Sequence, residues 1–152
     1  MPAFTARVIV NRGTLDQAVR LDEVVARAMP DVSREMRSAA IDSFRDARDP
    51  WGHPWPPLRP ATIENRAHRG NTRISPLVDT GALFDSVNNS ATRDSATVEY
   101  GDGLPDERAA FQFGTSRAPA RAFLPLETQD SANPSPDYLS RVLRPLMRAL
   151  QK

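Results

Sequence analysis

Three aspartates, Asp42, Asp46 and Asp49, recur at intervals of four and three residues. On a helix that spacing puts carboxylates along one face, where they could do acid–base work or hold Mg²⁺. Arg45 and Arg48 interleave with them and Arg34 and Arg37 lie upstream, so intrahelical ion pairs, Asp42 with Arg45 or Arg45 with Asp49, explain the pattern without chemistry. His53 and His68, fifteen positions apart and without cysteine partners, match no ligand spacing, and no metal site is assigned. Gly101-Asp102-Gly103 lacks the third glycine of a dinucleotide loop, the only lysine is Lys152, and no serine sits in a G-x-S-x-G elbow. The chain is therefore read as no enzyme, with no catalytic residue and no cofactor.

The arginines remain. Arg59, Arg66, Arg69 and Arg73, opposed locally only by Glu64, are expected to form a mobile basic arm that contacts DNA phosphate or an acidic partner. Arg141, Arg144, Arg148 and Lys152 make a second stripe, but cations near a helix C-terminus are favoured by the helix dipole without any ligand. Nineteen of the twenty basic residues are arginine, which suits bidentate contacts, although a G+C-rich genome gives the same bias.

Composition sets the frame for these groups. The 152 residues suit one domain, the formal net charge is +1, and the absence of cysteine excludes disulfides and thiolate sites. No apolar run has the length of a membrane span or of a signal peptide, so a soluble product made in the cytoplasm is expected.

Phe4, Ala6, Val8 and Val10 alternate with Thr5, Arg7, Ile9 and Asn11 as in a strand, closed by Arg12-Gly13. From Leu15 or Leu21 to Arg48, the residues Leu21, Val25, Ala28, Val32, Met36, Ala40 and Phe44 recur at threes and fours, one stripe of a long helix that Pro30 either divides or kinks. Asp79 or Thr80 is expected to cap a short helix carrying Leu83, Phe84 and Val87. The segments 88–93 and 96–101 read as a hairpin, 101–105 as a turn, 106–114 as a short helix ended by Gly114, and 121–126 as a strand or extended stretch. A linker over 130–136 leads to a C-terminal helix with Leu139, Val142, Leu143, Leu146 and Leu150 on one side, which Pro145 is expected to kink or shorten. The expected fold is α+β: one antiparallel sheet packed with a long N-terminal helix and a C-terminal helix, plus a long proline- and tryptophan-rich loop over 50–76.

That loop holds Pro50, Pro54, Pro56, Pro57, Pro60 and Pro76 and both tryptophans, Trp51 and Trp55. Proline fixes φ and removes amide donors, so an extended strap is expected that loses little entropy on docking. Trp51, Trp55, Pro56, Pro57 and Leu58 are its contact residues, either on the strap's own domain or on another subunit.

Four blocks in order, FRDARDPWGHPWPPLRPAT (44–62), LVDTGALFDSV (77–87), VEYG with AAFQFGT (98–101 and 109–115) and APARAFLPL (118–126), resemble the phage virion morphogenesis, or tail completion, proteins of Mu-like and related tailed phages. The blocks also make physical sense as scaffold: Gly81 and Gly101 permit turns, Asp79 and Thr80 supply a cap, and Arg121 sits beside a buried Phe123. Phe84, Phe113 and Phe123 are expected as core or as a receiving pocket. The resemblance implies a structural part of the virion neck, added during assembly as a homo-oligomeric ring, hexameric by analogy. Its implied partners are other neck, tail and head-connector proteins, with non-specific contact to DNA in the channel and none to membrane.

Overall fold

The computed structural model describes residues 4–9, 19–104, 110–126 and 133–151. Val10, the Arg12-Gly13 stop, the first four residues of the helix expected over 106–114, the start of the 130–136 linker and Lys152 lie outside them.

The architecture is α+β. A three-stranded antiparallel sheet has the order β1 (Phe4–Ile9), β3 (Ser95–Tyr100), β2 (Asn88–Ala91), so β3 is central and the other two are edges. Ala6 stands opposite Val98, which stands opposite Asn89 on the other side. This register puts Ala6, Ala96, Val98 and Tyr100 on the buried face, while Thr5 and Arg7 stay exposed.

Helix α1 (Val19–Asp46) supplies the other half of the core. Of the expected stripe, Val25, Ala28, Val32, Met36, Ala40 and Phe44 are buried at helical spacing and Leu21 is half-buried, while Met29, outside that stripe, is buried as well. Pro30 neither divides the helix nor ends it. Proline inside a helix costs about 3 kcal/mol, and burial of the flanking Met29 and Val32 offsets that. Helix α1 packs on the sheet along one side and on the C-terminal helix along another.

Helix α2 (Pro60–His68) falls inside the expected loop and corrects it. Pro60 occupies the first helical position, where a missing N–H costs nothing and a fixed φ is already helical. Helix α3 (Ala82–Asp85) is short. The C-terminal helix, α4 (Pro136–Leu150), again has proline first and runs on through Pro145. Its N-cap is Ser135, whose hydroxyl accepts from the Tyr138 amide at 3.2 Å. Of the segment 106–114 the described residues 110–114 hold only a 3₁₀ turn, Ala110–Gln112, and 121–126 belongs to no described strand and bends at 124–125, where the Leu126 amide reaches the Leu124 carbonyl at 2.8 Å.

Candidate functional site: a tied strap and an arginine-lined cleft

Helix α1 ends in a left-handed residue, Ala47 (φ 51°), and the Arg48 amide reaches back to the Ser43 carbonyl at 3.2 Å. This is a Schellman closure made without glycine. A compact loop follows: the Asp49 carboxylate accepts from the amides of Trp51 and His53 at 3.0 and 2.8 Å, and its second oxygen lies 3.1 Å from His53 Nδ1. Asp49 thus lies beyond the helix as a loop organiser, so the expected three-aspartate helix face does not form. Asp42 pairs instead with Arg45 at 2.9 Å and with Arg141 of α4 at 2.7 Å. Among the described residues no group of three potential ligands could hold a metal ion.

The strap is tied to its own chain at both tryptophans. Trp55 is 6% exposed, meets Phe44 edge-to-face at 5.7 Å and donates its indole N–H to the Ala122 carbonyl at 2.8 Å. Phe44 also contacts Phe84 and Phe123, and Phe123 contacts Tyr100, so one aromatic cluster joins α1, the strap, α3 and the sheet. Trp51 is half-buried and donates to the Asn133 carbonyl at 2.7 Å, while the α4 cap residue Ser135 donates to Pro50 at 2.8 Å. Phe123 is core; Phe84 and Phe113 are half-buried. Pro56 and Pro57 stay exposed, and Leu58 is half-buried.

Two further side chains fasten this region, and sequence reasoning assigned neither this role. Arg121, 6% exposed, donates to the carbonyls of Pro56 and Pro57 at 3.0 and 3.2 Å. Gln112 is fully buried; its amide donates to the carbonyls of Leu124 and Leu126 and accepts from the amides of Phe123 and Leu124. A single glutamine therefore takes the place of a neighbouring strand for 123–126, which is why that segment needs no ladder. Gly114 (φ +81°) lets the chain double back so closely that a Cβ there would lie 2.8 Å from the Ala120 nitrogen.

Arg66 is the clearest correction among the four loop arginines. It is 5% exposed and donates to the carbonyls of Arg73 and Ser75 at 2.9 and 3.0 Å, with Nε 3.5 Å from Asp79. The loop that it organises is tied down, since Arg69 also reaches Asp79 at 3.1 Å and Asn71 donates to it at 2.6 Å. Asp79 is consequently no helix cap. Gly81 (φ +93°) is the N-cap of α3, and Thr80 Oγ1 accepts from the Ala82 amide at 3.3 Å. Partial burial pushes the Asp79 carboxyl up, but the Arg69 hydrogen bond, the charges of Arg66 and Arg69 and the Asn71 hydrogen bond outweigh it and hold its pKa below the usual carboxylate value. Gly101 (φ +88°) is buried, and its amide donates to Ser86 Oγ at 3.1 Å.

Helix α2, the 79–82 turn and the 117–121 segment enclose a cleft of about 500 Å³ with an apolar floor of Leu58, Leu77, Leu83 and Phe111. Five arginines line it, Arg59, Arg66, Arg69, Arg117 and Arg121, against one carboxylate, Asp79. Arg73 lines a separate groove. In the second basic stripe, Arg141 is engaged by Glu35 and Asp42, whereas Arg144 and Arg148 are exposed.

The fold and this region define a class: a small α+β domain whose loops are locked by side chains around a cationic cleft. The sequence model of the phage virion morphogenesis family matches residues 12–143, and the chain belongs to that family. Its role is accordingly in building the phage particle. No curated protein and no solved structure matches it. No described helix is long and apolar enough to cross a membrane.

Proposed function

We propose that the protein is a non-enzymatic component of the head–tail neck, completing the tail or connecting it to the head, and that it acts as a closed homo-oligomeric ring. The observation that carries this reading is where the family's blocks lie in space. The strap, the 77–87 turn, Gln112 and the 118–126 segment are far apart in sequence yet lock into one body through Trp55, Arg121 and Phe44. Such a body presents rigid surfaces, which is what an assembly part needs.

A ring is built from heterologous contacts, one patch of each subunit meeting a different patch of the next. With Trp55 in the core, the strap's share of such a patch narrows to Trp51, Pro56, Pro57 and Leu58. Edge strands β1 and β2 supply two further unlike surfaces. Electron microscopy of particles carrying a tagged copy tests the reading: density for this chain as a ring at the neck supports it, and its absence from purified particles defeats it.

A further inference from the structure

We infer that the arginine cleft seats an extended acidic segment of another virion protein, with carboxylates on Arg59, Arg117 and Arg121 and an apolar side chain against the Leu58–Leu83 floor. This deepens the assembly reading above, on which it rests, by naming the chemistry of the partner.

The argument begins with charge that is left over. Asp79 is shared by Arg66 and Arg69. Arg121 meets no carboxylate among the described residues: both its hydrogen bonds go to proline carbonyls. A buried charge without an ionic partner is costly to maintain, and burial together with the nearby charge of Arg66 lowers the Arg121 pKa, the direction that such strain produces. Arg59 and Arg117 stand exposed at the two walls, and their guanidinium groups have no partner among the described residues. Three cations thus line one concavity, and among the described residues none of them has a carboxylate of its own.

Shape decides between the anions that could arrive. The cleft volume is in the range that encloses a small ligand or a few side chains. Its floor is apolar, which rewards a peptide that alternates carboxylates with a leucine-like side chain. Nucleic-acid backbone has no such side group, and contact with it is served by arginines spread over an open surface. Arginine's planar fork also matches a carboxylate in two-point contact.

The test uses a fluorescein-labelled peptide alternating glutamate with leucine, its glutamine counterpart, and a labelled DNA duplex, each titrated into the full chain. The glutamate peptide should bind, and Arg59→Glu with Arg117→Glu should weaken it by about tenfold or more. Both side chains are exposed, so the fold survives the change, which circular dichroism verifies. Arg144→Glu with Arg148→Glu on α4 should leave peptide binding unchanged. Preference for the duplex, equal binding of the glutamine peptide, or no response to the Arg59/Arg117 reversal would overturn the assignment. So would self-association that the reversal abolishes, because the occupant would then be a second copy. Incorporation into particles separates the two readings. A wild-type chain missing from particles sinks the assembly role, whereas wild-type and reversed chains incorporated equally sink only the cleft.

Discussion

The α1–sheet–α4 core and the region built from 47–81 and 110–126 are held by different means. In the core, backbone groups pair with one another in a helix or ladder, and apolar side chains fill the space between. In the other region, outside helix α2, many backbone groups are satisfied by side chains: Asp49, Arg66, Arg121, Gln112 and the two indoles each bond main-chain atoms. A core of the first kind tolerates hydrophobic exchange so long as volume is kept. The second kind does not, because removing one polar side chain strands several backbone groups at once. The arginine-lined cleft lies on the second kind, so its geometry depends on a few irreplaceable residues.

The largest expected effect separates the two tryptophans. Trp55→Ala should cost about 3–5 kcal/mol as a buried aromatic truncation, whereas Trp51→Ala, half-buried at the edge of the strap, should cost far less. Urea denaturation of the two variants measures the gap; equal losses would mean that the strap is not anchored as described. Next is Gln112→Leu, which keeps the volume but strands the amides of Phe123 and Leu124. It should lose at least the ~1–3 kcal/mol of one unsatisfied buried donor, while a volume-conserving Met36→Leu in the core should lose under about 1.5 kcal/mol. A Gln112 variant as stable as the Met36 variant would erase the distinction between the regions.

A gain is expected at the helix–strap junction. Ala47→Gly relieves a left-handed non-glycine residue, worth roughly 1 kcal/mol, visible as a raised urea midpoint.

The smallest effect is the pH dependence at Asp79. Its folded pKa lies below the ordinary 3.8, so its contribution is complete above that value and is lost as pH falls through the folded one. Asp79→Asn should therefore narrow the stability difference between neutral and strongly acid solution relative to wild type. An unchanged pH profile would detach Asp79 from Arg66 and Arg69.

The same contrast governs how much could be read from the sequence. The α1 stripe, the hairpin and the existence of α4 follow from spacing alone; every stripe residue on α1 but the half-buried Leu21 is buried, whereas on α4 Val142 is buried and Leu139 and Leu150 of the expected face stay exposed. Helix α2 was hidden because Pro60 looks like a breaker and Thr62-Ile63-Glu64-Asn65 carries no apolar period, yet proline at the first position starts a helix. The end of α1 was hidden because Ala47 stands where glycine is the usual signal. Arg66 and Gln112 are polar, and polarity alone places a residue at the surface. Only partners distant in sequence, the 73–78 carbonyls and the 123–126 backbone, account for their burial. The ordered blocks did disclose the family, since motif order survives where local periodicity is absent.

Amide hydrogen exchange on the isolated chain puts the central claim to the most direct trial. If strap and cleft are locked within one subunit, the amides of Trp55, Phe123 and Leu124, bonded to Ala47 and Gln112, will be protected to a degree comparable with those of central strand β3. Exchange at those three positions as fast as in an open loop, with β3 still protected, would show that the strap is ordered only by a partner and would contradict the account.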